Sequence, residues 1–488
     1  MDKKKKIAIE TNGVEIIPDD QRFSTTTDLF RLIFGGANTF ATVVLGSFPI
    51  IFGLSLGAGL MSIIIGVIIG AFILAPMGLF GPKNGTNNAV SSGAHFGIHG
   101  RIVGSFLSLL TAITFFSLSV WSSGDALIGG LKRVIGIHET NTNLALAYAF
   151  FAIIVLLICI YGFRLLVTVS KLAVLGASIM FILGIPAFSS EVDWHYAGQV
   201  HLGDAAFWPV FTGATIIAMS NPISFGAFLG DWSRYIPVKT PKFKIMRAVF
   251  VAQLATFLPF FFGLITASIV ATQAPTYITQ NNYIGGLLAI SPTWYFFPLC
   301  IIALLGGLST GTTALYGTGL DISSILPRIL RRVSATIIIG LLSIVFIFIG
   351  RFVFNLTTAV STFAVLIITC TSPWIAIMVI GYIQRKGYYS PEDLQVFNRG
   401  LRGGIYWFNH GWNWRGMMAW IPSAILGICF VNIPGQFIGP LGNTFGGIDF
   451  SLVVTLLSSA VLYLIFTTIF PEPAEVFGPS HEPQEPSI

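Results

Sequence analysis

Twelve stretches of this chain are long and apolar enough to cross a lipid bilayer, and no other feature restricts its fold as much. A helix rises 1.5 Å per residue, so about 20 apolar residues span the hydrocarbon core. Such stretches cover roughly 29–55, 57–80, 102–130, 144–162, 165–188, 206–233, 245–271, 293–322, 333–350, 354–383, 416–434 and 449–470. A soluble enzyme of 488 residues is excluded by charge. Only 9% of the residues are charged, against roughly 25% in ordinary soluble domains, too few to coat a water-exposed surface.

The loop charges set an orientation. A cytoplasmic N-terminus places all but three of the 26 Lys and Arg, namely Lys132, Arg133 and Arg351, in or beside the tails and the loops after even-numbered spans. That is the bias of the positive-inside rule. The reverse would put Arg328, Arg331, Arg332, Arg385 and Lys386 outside. Lys171, just inside span five, is read as reaching back to the inner surface. About twenty polar residues after MDKKKK argue against a cleaved signal peptide. The four cysteines lie in apolar runs without metal-ligand spacing, and no metal site or nucleic-acid partner is expected.

Span count alone does not separate transporter, channel, receptor and lipid enzyme. The interruptions inside the spans do. Span one carries Phe34-Gly35-Gly36-Ala37-Asn38-Thr39, and span six carries Ala218-Met219-Ser220-Asn221-Pro222 followed by Ser224-Phe225-Gly226. Each frees backbone amides and carbonyls in an apolar helix, which is costly in hydrocarbon unless something polar binds there. Glycine is common in membrane helices for packing alone. The two breaks, however, open two successive five-span halves, the pattern of an inverted-repeat secondary transporter. Span eight adds Gly306-Gly307-Leu308-Ser309-Thr310-Gly311-Thr312-Thr313, whose hydroxyls suit either helix packing or an oxygen cage for Na⁺.

These residues resemble the nucleobase:cation symporter-1 family, and within it the cytosine and purine permease branch. Phe34 to Phe40 with Gly46 is similar to the family's first helix. Asp231-Trp232-Ser233-Arg234-Tyr235-Ile236-Pro237 looks like its Asp-Tyr-x-Arg-Tyr-Leu-Pro signature, and Ala314-Leu315-Tyr316 with Gly319 resembles the eighth helix. The likeness covers about the first ten helices. It implies an all-α, twelve-helix protein with the leucine-transporter-type five-plus-five inverted repeat and helices 1 and 6 interrupted. Residues 1–28 would be a cytoplasmic tail, 29–188 and 206–383 the two repeats, 416–470 two further helices, and 471–488 a disordered cytoplasmic tail.

The resemblance also implies a site. A heterocycle would lie between Phe115 on span three and Phe225 on span six, with Thr39, Ser119, Gly226 and Thr313 at its edge. Gly35, Asn38, Gly306, Ser309 and Thr310 would hold a coupling Na⁺. Phe115 and Ser119 stand where the family usually has Trp and an amide, which removes an indole donor and a paired donor and acceptor. The chain is expected to be a monomeric plasma-membrane importer of a nucleobase-like solute coupled to Na⁺ or H⁺, without a cofactor, and not an enzyme. The alternative is a cationic or other small nitrogenous solute with Asp125 as its counter-ion. Asp125 is an intramembrane carboxylate that either functions in transport or pairs with Lys132 or Arg133. Asp231 is a gating or proton candidate, expected to pair with Arg234 or backbone donors.

Overall fold

The computed structural model describes residues 13–138, 140–161, 163–279, 283–325, 332–352 and 362–478. Hydrocarbon offers backbone groups no hydrogen bonds, so each apolar stretch satisfies its own as a helix. Among the described residues eight helices are long and apolar enough to span: Leu56–Asn84, Ile102–Ile135, Asn141–Ile160, Phe207–Ser233, Lys242–Gln273, Thr293–Thr312, Thr362–Gln384 and Ser451–Ile469. Thr26–Ala37 and Phe40–Ile51 form one more span, bent by 57°. Shorter apolar helices, Val174–Phe188, Val333–Ile349 and Trp414–Phe430, occupy the expected fifth, ninth and eleventh positions. Arg328, Arg331 and the first residues of span ten lie outside the described residues.

Small residues let these helices approach closely. A methyl group on Gly46 would sit 2.2 Å from the Phe260 carbonyl oxygen, and one on Gly263 would sit 2.0 Å from that of Val43. Span one's second half is thereby pressed against span seven, backbone to backbone. Lipid supplies no hydrophobic drive between helices, so such contact is what holds them.

Residues 13–25 do not hang free. They form a strap across the face that carries both termini. Val14 and Ile17 are buried, the Ile17 amide donates to Gly85 at 2.9 Å, and Gln395 donates to the Val14 carbonyl at 3.1 Å. The Arg22 guanidinium donates to the carbonyls of Ile17 at 2.9 Å and Pro82 at 2.7 Å. The Ser24 amide reaches Tyr235 at 2.9 Å, just after span six.

The C-terminal segment corrects an expectation. Proline and acidic residues predict disorder from Pro471, yet Glu472 is buried and pairs with buried Arg385 at 2.6 Å, while Asn413 donates to its other oxygen at 2.6 Å. One buried guanidinium is enough to order the chain through Gly478, because an unpaired charge there would be costly. Residues 479–488, with Glu482 and Glu485, lie outside the described residues. Beside this pair, buried His95 shares a 2.7 Å hydrogen bond with Tyr389. On the opposite face a two-stranded hairpin, Asn432–Ile433 with Phe437–Ile438, joins spans eleven and twelve.

Candidate functional site

Span one breaks where its sequence changes character. A capping box of Thr25 with Asp28 starts the helix Thr26–Ala37. At Asn38 (φ −83°, ψ 65°) and extended Thr39 the chain leaves helical geometry, and the next helix starts at Phe40. The Thr39 amide turns to Ala37 at 3.0 Å, so Gly35 loses the donor that a continued helix would give its carbonyl. The Gly36 carbonyl accepts instead from the Thr310 hydroxyl on span eight.

Span eight lies against this break because Gly306 has no side chain. A methyl there would fall 3.0 Å from the Thr39 Cα and 3.5 Å from the Asn38 carbonyl oxygen. All five expected cation residues, Gly35, Asn38, Gly306, Ser309 and Thr310, are buried on the two segments that meet here, Gly35 lying one turn before the bend. Asn38 also reaches span five, its Nδ2 donating to Ser178 Oγ at 3.3 Å. The Asn38 Oδ1 and Thr39 Oγ1 atoms are buried with no hydrogen-bond partner among the described residues. Two oxygen acceptors thus stand unsatisfied at the bend, where burial without a partner is unfavourable.

Span six is interrupted one turn later than the Asn-Pro step suggests. The helix Phe207–Ser224 runs through Pro222, residues 225–228 form a turn, and a short helix follows at Leu229–Ser233. Proline removes one donor without ending the helix; at the break itself the Phe225 amide turns to the Pro222 carbonyl at 3.2 Å, and the Ser224 hydroxyl donates to the Asn221 carbonyl at 2.5 Å in its place. The Asn221 Nδ2 is buried without a hydrogen-bond partner among the described residues, a donor that sequence reasoning placed at the break but not in the site.

The remaining expected residues are distributed as follows. Phe225 is buried, its ring 5.4 Å from that of Phe228 and 5.6 Å from that of Trp232. The Gly226 carbonyl is taken by Asn88 Nδ2 at 2.8 Å. Phe115 is half-buried in the core, and the Ser119 hydroxyl donates to the Phe115 carbonyl at 2.7 Å, leaving only its lone pairs for a ligand. Thr313 is on the span-eight helix, but its side chain lies outside the described residues.

Asp125 accepts from the Tyr148 hydroxyl on span four, while Arg133 donates to the carbonyls of Leu288 at 3.2 Å and Ser291 at 2.8 Å. Asp231 does not form the expected hydrogen-bonded pair with Arg234. Asp231 is buried facing Asn87 and keeps Arg234 as its nearby counter-charge, whereas Arg234 donates to the Gly13 carbonyl of the strap, to its neighbour Tyr235 at 3.2 Å and to Tyr316 of span eight at 3.3 Å. The guanidinium's hydrogen bonds thus go to its own neighbour and to two other segments. Lys171, instead of simply reaching to the surface, pairs with Asp28 at 3.6 Å.

Comparison with known proteins bears on the fold and the family. The Putative purine-cytosine permease YxlA of Bacillus subtilis (strain 168) is 28% identical over 473 residues, covering 94% of this chain and 95% of the relative. The vitamin B6 transporter TPN1 of Saccharomyces cerevisiae is 23% identical over 314 residues, 61% of this chain and 52% of that protein. Among solved structures, Mhp1, a nucleobase-cation-symport-1 family transporter in a closed conformation with bromovinylhydantoin bound, superimposes with a TM-score of 0.71. It is 17% identical, and the match covers 97% of this chain and 98% of Mhp1. A Na⁺-coupled sialic acid symporter matches with a TM-score of 0.59 at 15% identity, over 96% of this chain and 94% of its own. The fold is therefore the leucine-transporter-type inverted repeat. Residues 16–455 match the family described as permeases for cytosine/purines, uracil, thiamine and allantoin. With the match spanning nearly all of its helices, this chain belongs to that permease family and is a membrane transporter rather than an enzyme.

Proposed function

We propose that the protein imports a nucleobase-like heterocycle, with Na⁺ as the coupling ion, across the plasma membrane, its termini in the cytoplasm. The observation that carries this reading is the set of unsatisfied polar atoms at the two helix breaks. Asn38 Oδ1 and Thr39 Oγ1 are acceptors at span one, and Asn221 Nδ2 is a donor at span six. Buried groups of this kind need a partner, and a transported ligand and its ion are partners that come and go.

In this reading Gly35, Asn38, Gly306, Ser309 and Thr310 hold the cation through main-chain and hydroxyl oxygens, the hard ligands that suit a hard ion. Phe115 and Phe225 stack on the ring. Thr39, Ser119, Thr313 and, newly, Asn221 supply its polar edge. The two repeats, 29–188 and 206–383, move against each other around this site. The strap and the Arg234–Tyr316 contact close the inner end.

Uptake of labelled cytosine, adenine, uracil and hydantoin into proteoliposomes tests the proposal. It requires at least one to be concentrated when a Na⁺ gradient is imposed, and Asn221→Leu to lose that uptake. Accumulation driven by a proton gradient and indifferent to Na⁺ would refute the ion assignment. Absence of uptake of every heterocycle, with a cationic amine transported instead, would refute the substrate class and favour Asp125 as counter-ion.

A further inference from the structure

A groove lies between the first turn of span one and the first turns of span seven, on the face that carries the termini, and encloses about 430 Å³. Its mouth is lined by Lys244 and Arg247, one turn apart on span seven, and by Thr26 and Thr27 across the gap. Its deeper wall is apolar, formed by Phe30, Ala248 and Val251. From Lys244 to Val251 the helix descends about 10 Å at 1.5 Å per residue. The groove therefore runs from a cationic rim into the hydrocarbon zone, where Val251 is 44% exposed.

The polar groups at the rim are available. The side chains of Lys244 and Arg247 have neither an ion pair nor a hydrogen bond among the described residues, and neither do the hydroxyls of Thr26 and Thr27. The adjoining carboxylate, Asp28, is engaged by Thr25, Arg31 and Lys171. The other cation at this end of span seven, Lys242, lies over the Tyr382 ring at 5.2 Å and is not in the groove.

We propose that this groove binds one anionic phospholipid of the inner leaflet. Its phosphate would meet Lys244, Arg247 and the two threonine hydroxyls, and one acyl chain would run down past Phe30 and Val251. The pairing of a cationic rim with an apolar floor at the membrane boundary is complementary to a lipid and not to a free phosphate, which would leave the floor uncovered. Each cation near an anionic surface contributes about 1 kcal/mol, or roughly fivefold in affinity. Such a lipid would bridge span one, which carries a break of the candidate site, to span seven.

Native mass spectrometry of the purified full chain tests this. The protein is titrated with phosphatidylglycerol or with phosphatidylcholine of the same acyl chains. Phosphatidylglycerol should bind preferentially at one site. Lys244→Gln with Arg247→Gln should weaken that binding roughly twenty-five-fold, the product of two fivefold losses, and leave phosphatidylcholine unchanged. Val251→Trp, which fills the groove and keeps both charges, should also displace the lipid, and Lys242→Gln should not. Equal binding of the two lipids, an unaffected double variant, or an equal loss in Lys242→Gln would overturn the proposal. So would displacement of phosphatidylglycerol by millimolar inorganic phosphate, which would make the rim a site for a soluble anion.

Discussion

Thr310→Ala separates a structural from an ion-binding role for span eight. A hydroxyl has one donor and two acceptor lone pairs. The Thr310 donor is spent on the Gly36 carbonyl at the bend of span one, and Thr310 itself is 4% exposed. The hydroxyl thus lies at the bend, beside Gly306, which packs against Asn38 and Thr39, and in the proposed cage it would be a cation ligand. Removing the oxygen has two consequences of different size. The Gly36 carbonyl loses its partner, at a cost of about 1–3 kcal/mol in fold stability. A bound cation loses one ligand, and taking hydrogen bonds to charged groups as the scale, about 1.5–3 kcal/mol, its affinity should fall roughly tenfold to more than a hundredfold. By linkage the substrate's affinity at fixed Na⁺ falls by up to the same factor, and at saturating Na⁺ it recovers. Thr310→Ser keeps the oxygen and should behave nearly as the unaltered protein. Equilibrium binding of labelled substrate across a Na⁺ series, with a melting curve for each variant, measures both effects. A lower melting temperature with unchanged Na⁺ dependence would refute the argument and leave Thr310 as a helix tie alone.

Four further outcomes are expected. Asp231→Asn should slow uptake while equilibrium binding is kept, because Asp231 is buried at the inner end of span six beside the Arg234–Tyr316 contact; loss of binding in a folded variant would place it in the substrate site instead. Phe115→Ala should raise the substrate's dissociation constant at least roughly tenfold, from stacking of about 0.5–1.5 kcal/mol plus lost burial, and Phe115→Trp should be tolerated; an unchanged constant in the alanine variant argues against the sandwich. Burial, with Arg385 nearby, holds the His95 imidazole well below its usual range, so it is neutral when folded and the unfolded chain takes up the proton; stability is full above pH about 6.5 and falls below it, and in His95→Gln the melting temperature should lose that acid-side decline. Glu472→Ala should cost about 3–5 kcal/mol, since it leaves the Arg385 charge buried and unpaired, and a shift in melting temperature no larger than that of a surface glutamate variant would contradict this.

Much of this architecture is legible in the sequence because lipid allows so few solutions. An apolar stretch of sufficient length has to be a helix, and a glycine pair followed by asparagine marks where it breaks. The positions of the span-one break and of the Gly306 to Thr310 segment follow from that rule. What is not legible depends on contacts distant in sequence. Nothing in Asp231-Trp-Ser-Arg234 reveals that the arginine has better acceptors in Gly13 and Tyr316. Pro222 marks the region of the second break, but the helix runs on past it and the turn falls at 225–228, where the Ser224 hydroxyl takes the Asn221 carbonyl that the break leaves free. Residues 13–25 lack any apolar period and read as a solvated tail, though their backbone groups are what the inner face binds. Glu472 sits in a composition that predicts disorder, and only its partner 87 residues away makes it a core residue.

The same separation has a meaning in time. A ribosome adding about 5–20 residues per second completes Glu472 roughly four to seventeen seconds after Arg385. In that interval spans eleven and twelve must enter the bilayer, and the guanidinium that closes the inner end of span ten has no counter-charge. The segment after Phe470 therefore supplies the counter-charge only after all the preceding spans have been made. A chain ending just after span twelve would keep those spans and still leave the Arg385 guanidinium buried without a carboxylate, a charge whose burial costs several kcal/mol.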